Sequence, residues 1–291
     1  MDAELVALIR SRSHRIRPLP PGIRTSGSLA RPPRAVLFDV YGTLLIRADR
    51  TGERDQGALR TMTRRHLLRM TPRELEDALQ EAITREHARL SSRGITHPEV
   101  RIEQICRRVL PTRESGELRR MIVEYELSAH PCWPMPGSGR VIVTLRRSGV
   151  ALGVVSNAQF YTPLFFAALL GGQPEQVGFS RELCFYSWLR GEAKPAPGMF
   201  ERAADELRRL QIPRNEVLVV GNDPTNDVEA GAKAGFMTAR VAADKRSLVK
   251  GAPVSDGRRP NAILGRLADL LTVVGNARNA APDLQEARIG R

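Results

Sequence analysis

The chain has 291 residues, of which 42% are hydrophobic and 26% charged, a mixture that excludes a mainly disordered protein and suffices for one large domain or two smaller ones. Its formal net charge is +13, from 45 basic and 32 acidic residues, which raises nucleic acid as a partner. The longest mostly apolar stretch, 160–170, contains Pro163 and falls short of the ~20 residues of a spanning helix; with no apolar leader at the N-terminus, neither a membrane anchor nor a secretory signal is expected. Where the charge sits argues against nucleic acid. Residues 1–34 hold seven Arg and two acids, so +5 lies in a short Pro-containing segment, and aromatics that would stack bases make up only 5%. Three scattered cysteines, Cys106, Cys132 and Cys184, exclude a disulfide framework and point to a reducing, cytoplasmic setting.

Residues 1–33 read as a short helix around Leu5, Leu8 and Ile9 followed by a mobile tail, with folded structure beginning at Arg34. The apolar run 35–38 has the character of a buried parallel strand, ending at Asp39 before the turn residues Gly42 and Thr43. From 47 to 134 the pattern is helical. Thr71, Pro72 and Glu74 form a capping-box start, followed by Leu75, Leu79, Ala82, Ile83 and Leu90 at helical spacing; a second helix is expected from Pro98 and a third around Leu118, Ile122 and Tyr125. After a turn-rich 131–139, the chain alternates: helix 141–147, strand 151–155, helix 162–170, strand 183–186, helix 198–210, strand 217–220, helix 227–234 and strand 237–241. A last helix is expected over 263–273. Repeated βα units with apolar strands predict an α/β fold, a Rossmann-like doubly wound parallel sheet with helices on both faces. The expected division is a basic tail (1–33), an α/β core (34–46 and 135–275), a helical cap domain inserted after the first core strand (47–134) and a C-terminal tail (276–291).

Ligands of such sheets bind beyond the carboxyl ends of the strands, which directs attention to Asp39 and Tyr41, Ser156 and Asn157, and Asn222, Asp223 and Asp227. The run Asp39-Val40-Tyr41-Gly42-Thr43-Leu44 resembles motif I of the haloacid dehalogenase superfamily. Ser156-Asn157 resembles motif II, Lys194-Pro195 motif III, and Gly221-Asn222-Asp223-Pro224-Thr225-Asn226-Asp227 motif IV. All four occur in order at strand ends or helix starts, and the insert lies where C1-type members carry their cap. The resemblance implies a hydrolase in which Asp39 is the nucleophile, Ser156 donates to the transferring group, and Lys194 neutralises Asp39 and substrate charge. Asp39, Asp223, Asp227 and the Tyr41 carbonyl would hold Mg²⁺. Asn222 stands where many relatives place the first acid of motif IV.

Tyr41 departs from the phosphatase pattern, which places a proton-shuttling Asp there. A phenol, with an ordinary pKa of about 10, is a poor shuttle near neutrality, and Asp-x-Tyr is familiar from 2-haloacid dehalogenases, whose halide leaves without a proton. Three carboxylates against Lys194 alone leave about −2 in the pocket, and like charges ~4 Å apart repel by about 4 kcal/mol at an effective dielectric of ~20. That favours a Mg²⁺-dependent phosphatase on a small phosphorylated metabolite over a metal-independent dehalogenase. A third possibility is a non-catalytic polyanion-binding protein using the basic tail. Lysine occurs only at 194, 233, 245 and 250, so Lys194 stands out in an arginine-dominated chain. The patch Phe160, Tyr161, Phe165, Phe166 reads as core packing or as a pocket wall. Arg64, Arg65 and His66 are cap residues with the chemistry to clamp an anion, whereas Asp244-Lys245-Arg246-Ser247 reads as a surface turn. Substrate identity and oligomeric state are not encoded in any recognisable motif.

Overall fold

The computed structural model describes residues 2–48, 54–110, 113–248 and 259–280; Lys250 and the end of the expected C-terminal tail (281–291) lie outside the described residues. The strands are Ser26–Gly27 (β1), Ala35–Phe38 (β2), Leu45–Arg47 (β3), Cys132–Pro134 (β4), Ala151–Ser156 (β5), Cys184–Tyr186 (β6), Val217–Gly221 (β7), Met237–Val241 (β8) and Ala262–Leu264 (β9). Seven form one sheet in the order β1-β9-β8-β7-β2-β5-β6, parallel except for β1, while β3 and β4 form a separate antiparallel ribbon. The mixed α/β architecture is the doubly wound one expected.

Central β2 shows why. Its four residues are fully buried and alternate between two apolar clusters: Val36 and Phe38 on one face, Ala35 and Leu37 on the other. The second cluster takes Met199, Phe200, Ala203 and Leu207 from the helix Gly198–Arg209. The first takes Val141 and Leu145 from the helix Ser138–Arg147 and Phe165 and Phe166 from Thr162–Leu169. Burial on both faces accounts for an uninterrupted apolar strand. In register, Phe38 lies opposite Val154 of β5 and Val220 of β7, so all three strands deliver their next residues to the same edge.

Between β3 and β4 run the helices Gln56–Arg65, Pro72–Ser91, Ile102–Val109 and Ser115–Ala129. Thr71 closes the expected capping box: Glu74 N–H donates to its Oγ1 and its own N–H donates to Glu74 Oε2 at 2.7 Å. The helix expected from Pro98 starts four residues later, because 97–99 extend along the loop after β6. Ala193 N–H donates to the His97 carbonyl and Glu99 N–H to that of Gly191.

Two expectations at the chain ends are corrected. The segment after Arg12 is not a loose tail. Helix Asp2–Arg12 buries Leu5, Leu8 and Ile9, Arg10 donates to the Ala168 carbonyl at 3.3 Å, and β1 adds a strand to the sheet edge beside β9. Asp244 and its neighbours, expected as a surface turn, fasten this segment. The Asp244 carboxylate, 1% exposed, accepts from Leu19 N–H at 2.6 Å, Lys245 N–H donates to the Leu19 carbonyl, and Arg246 donates to that of Arg17. Ile263, expected in a helix, lies in β9 because β8 and β1 satisfy that strand on both sides; the helix begins at Leu270 and runs to Ala280. Ile9→Ala, at a fully buried position, is expected to cost about 2–4 kcal/mol, and deletion of 1–33 to cost more, both read from urea unfolding midpoints. An unchanged midpoint on deletion would mean that the segment is dispensable.

Candidate active site

Three strand ends converge at the edge defined above. Asp39 follows β2, and its N–H donates to the Val220 carbonyl at 2.9 Å. Ser156 closes β5, with its hydroxyl donating to Asp39 Oδ1 at 3.0 Å. Lys194 comes from the loop after β6. Its Nζ donates to Asp39 Oδ1 at 2.9 Å, to Asp227 Oδ1 at 2.5 Å and to the Val155 carbonyl at 2.8 Å. Asn157 holds the lysine's backbone on both sides: Lys194 N–H donates to Asn157 Oδ1 at 2.7 Å and Asn157 Nδ2 to the Lys194 carbonyl at 3.0 Å. Sequence reasoning named these four residues, and the fold brings them together.

Glycine makes two of the approaches possible. Gly221 closes β7, and a Cβ there would fall 2.2 Å from the Asp227 carboxylate. At Gly42, φ is +87° and a Cβ would lie 2.7 Å from Asn222 Nδ2, so the turn after Asp39 and the first polar residue of the motif after β7 pack directly together. Asn222 donates to the Ser247 carbonyl at 2.6 Å.

The two acids after β7 have different employment. Asp227 is 1% exposed; Oδ1 takes Lys194 and Oδ2 accepts Asp223 N–H at 2.9 Å. Burial is the dominant influence on its carboxyl and raises it to about 6 against the pull of Lys194. Burial opposes charge on Lys194 as well, but the two carboxylates outweigh it and raise the ammonium above its ordinary range. Asp223 caps the following wide turn Pro224–Glu229, accepting from Thr225 and Asn226 N–H at 2.8 and 2.9 Å. Its carboxylate also borders the cavity.

That cavity, about 260 Å³, is lined by Asp39, Tyr41, Asn157, Lys194, Asn222, Asp223 and Asp227 from the strand ends, and by Arg47 and His130 from the ends of the β3–β4 ribbon region. Sequence reasoning missed Arg47 and His130. Three carboxylates face Lys194 and Arg47, while Arg246, the third cation of the lining, is offset by its pairing with Asp244, so the wall carries about −1 rather than −2. Tyr41 shares its hydroxyl with Thr162 Oγ1 at 2.9 Å, and burial raises its phenol far above the ordinary value, which removes it further from acid–base work near neutrality. Phe160, Tyr161, Phe165 and Phe166 are buried; the first three pack edge-to-face in sequence and Phe166 against Phe179, the core reading of that patch. Arg65 and His66 pair with Glu124, and neither they nor Arg64 border the cavity.

A carboxylate with one oxygen held by a hydroxyl and an ammonium, beside further oxygen donors, can act as a nucleophile toward a phosphorus or carbon centre. A family model, haloacid dehalogenase-like hydrolase, matches residues 33–235. The chain belongs to this family. It is a hydrolase on a Rossmann-like core with a helical cap. A glyceraldehyde 3-phosphate phosphatase from Methanopyrus kandleri is 27% identical over 245 residues, 83% of this chain and 97% of that protein. Among solved structures, the 2-haloacid dehalogenase of Pseudomonas syringae pv. Tomato DC3000 superposes with a TM-score of 0.57 at 20% identity, covering 84% of this chain and 99% of that one. CbbY from Rhodobacter sphaeroides, solved in complex with phosphate, gives 0.50 at 17% identity over 83% and 99%. At those identities the structural matches speak for the fold alone. Among the described residues, no helix is long and apolar enough to cross a membrane, and the three cysteines are free.

Proposed function

We propose that this hydrolase cleaves phosphomonoesters of small cytoplasmic metabolites through an aspartyl-phosphate on Asp39, with Mg²⁺ as its cofactor. The observation that carries the reading is the division of labour on Asp39: Oδ1 takes Ser156 and Lys194, while Oδ2 has no hydrogen bond among the described residues and belongs to a residue that borders the cavity. The 27% identical phosphatase supports it.

The available donors suit a hard cation. No group of three or more His, Cys, Asp or Glu among the described residues forms a ready-made metal cluster. A cation that takes oxygen ligands and keeps several waters needs only a few protein donors. Asp39, the Tyr41 carbonyl and Asp223 would hold it: both Asp223 oxygens accept only neutral N–H donors, from Thr225 and Asn226, whereas Asp227 is tied to the Lys194 ammonium as well as to Asp223 N–H. Bound there, Mg²⁺ would neutralise the residual negative charge and polarise a phosphoryl oxygen.

Asp39 would attack phosphorus as the ester P–O bond breaks, and water would then attack the same phosphorus, releasing phosphate and restoring the carboxylate. Lys194 stays charged and neutralises Asp39 throughout. Ser156 is fully buried and gives its one hydroxyl proton to Asp39, so it orients the nucleophile, and it would donate to a phosphoryl oxygen only by releasing that contact. Because Tyr41 cannot supply a proton to the leaving group, the leaving oxygen must take one from water, so turnover is expected to be faster for good leaving groups. Hydrolysis of p-nitrophenyl phosphate is expected with Mg²⁺ and expected to be lost in EDTA. Halide release from 2-chloropropionate that survives EDTA would replace this reading with dehalogenation, which Tyr41 and the engagement of Asp227 by Lys194 favour.

A further inference from the structure

The wall of the cavity also holds Arg47, which no described residue uses fully. Arg47 closes β3, where its register partner is Cys132 of β4. Its guanidinium lies 4.2 Å from the centroid of the Tyr41 ring, a stacking that fixes the plane of the fork. The carboxylate nearest to it, Glu126, is 3.9 Å away and is itself engaged by His130 Nδ1 at 3.2 Å. Arg47 Nε is enclosed and has no acceptor, and the remaining protein partners of the guanidinium are the weak acceptor Cys132 and the distant Glu126. Donors short of acceptors cost free energy, and the side chain, 34% exposed overall, leaves part of the guanidinium within reach of a ligand.

Other arginines nearby are spent. Arg246, which also borders the cavity, is committed to Asp244 and to the Ala48 carbonyl. Arg65 of the insert pairs with Glu124 at 2.6 Å. Among the described residues, Arg47 combines a place on the wall with weakly engaged donors and a plane fixed by Tyr41, the geometry that takes a carboxylate or phosphate in a bidentate grip.

We propose that Arg47 binds a second anionic group of the substrate, so that the site takes a small phosphomonoester carrying a carboxylate or a second phosphate. This rests on the phosphatase reading above. The cavity, about 260 Å³, is smaller than the ~300–1,000 Å³ of drug-sized sites, so a skeleton of few carbons would bring one anionic end to Asp39 and the other to Arg47. Tyr41 then has a role that needs no proton: its ring carries the arginine.

The test compares 3-phosphoglycerate with glycerol 3-phosphate, which differ in having a carboxylate or a hydroxymethyl group at the far end. In the full chain with Mg²⁺, kcat/KM is expected to favour the carboxylate ester by about 100-fold. Arg47→Met should bring that ratio to about 1, and Arg47→Lys to about 10, because a point charge replaces the fork. A parent ratio near 1, or losses in Arg47→Met that leave the ratio unchanged, would overturn the assignment and leave Arg47 a structural residue. Hydrolysis of neither ester would instead count against the phosphatase reading. Calorimetric binding of 3-phosphoglycerate to the Asp39→Asn protein then decides on Arg47 alone. At least tenfold weaker binding on adding Arg47→Met sustains the proposal, and an unchanged Kd overturns it.

Discussion

Replacing Asp39 by Asn is expected to lower turnover about 10⁴-fold or more, the scale seen when a covalent nucleophile is removed, with little change in folding stability. An amide has no charge to donate to phosphorus and makes a poor nucleophile. The same substitution keeps the shape of the side chain and an oxygen for Ser156, whose hydroxyl lies 3.0 Å from Oδ1. It also relieves one of the two carboxylates that Lys194 must balance. The two effects therefore separate: activity collapses while the urea midpoint stays within a small margin of the parent. Retained activity would remove Asp39 from the chemistry, whereas a large fall in stability would show that the carboxylate is needed for the fold itself.

Lys194→Met is expected to do the opposite and damage both. The Lys194 side chain is 2% exposed and its ammonium touches Asp39, Asp227 and the Val155 carbonyl. Without it, two carboxylates face one another with no counter-charge, and Asp227 has no access to water. Breaking a buried pair by removing one partner costs about 3–5 kcal/mol. The loss should shrink as pH falls. Asp227 already has a carboxyl raised by burial to about 6, above its unfolded value of about 4, so folding favours its protonated form and the associated stability is present at low pH and lost as pH rises through that window. Removing Lys194 pushes the carboxyl higher still. Combining Lys194→Met with Asp227→Asn removes one of the uncompensated charges and should recover much of the lost stability. Unfolding midpoints at pH 5 and pH 8 for the single and double variants check this; equal losses at both pH values would mean that cavity formation, not charge, sets the cost.

The core of the fold and the convergence at its edge were legible because both follow from local signals. An apolar run buried on two faces makes a parallel strand, and parallel strands in register deliver their next residues to one edge. Asp39, Ser156 and Asp227 could therefore be placed near one another from the ends of three runs, and Lys194 from its rarity and its position before a helix. Arg47 and His130 gave no such signal. They reach the cavity through the pairing of β3 with β4, in which Arg47 opposes Cys132 across the whole helical insert, and nothing in a three-residue strand announces a partner so distant. The apolar residues at 44–46 directly before an arginine were the one available hint. The N-terminal segment was misread for a related reason. Its prolines and arginines have the composition of a mobile tail, and what fastens it lies far away in sequence: β9, which pairs with β1, and Asp244 with its two successors, more than 200 residues on. Ile263 followed the spacing of a helix, but its hydrogen bonds are supplied by strands on either side.

The most direct test of the central claim is a reaction in ¹⁸O-labelled water carried through many turnovers with p-nitrophenyl phosphate, followed by mass spectrometry of the peptide containing Asp39 and of the released phosphate. Attack of water on phosphorus predicts label in the phosphate and none in Asp39, together with a phosphoryl adduct on Asp39 in acid-quenched samples. Label accumulating in the Asp39 carboxylate, or an adduct on any other residue, would contradict phosphoryl transfer through this side chain.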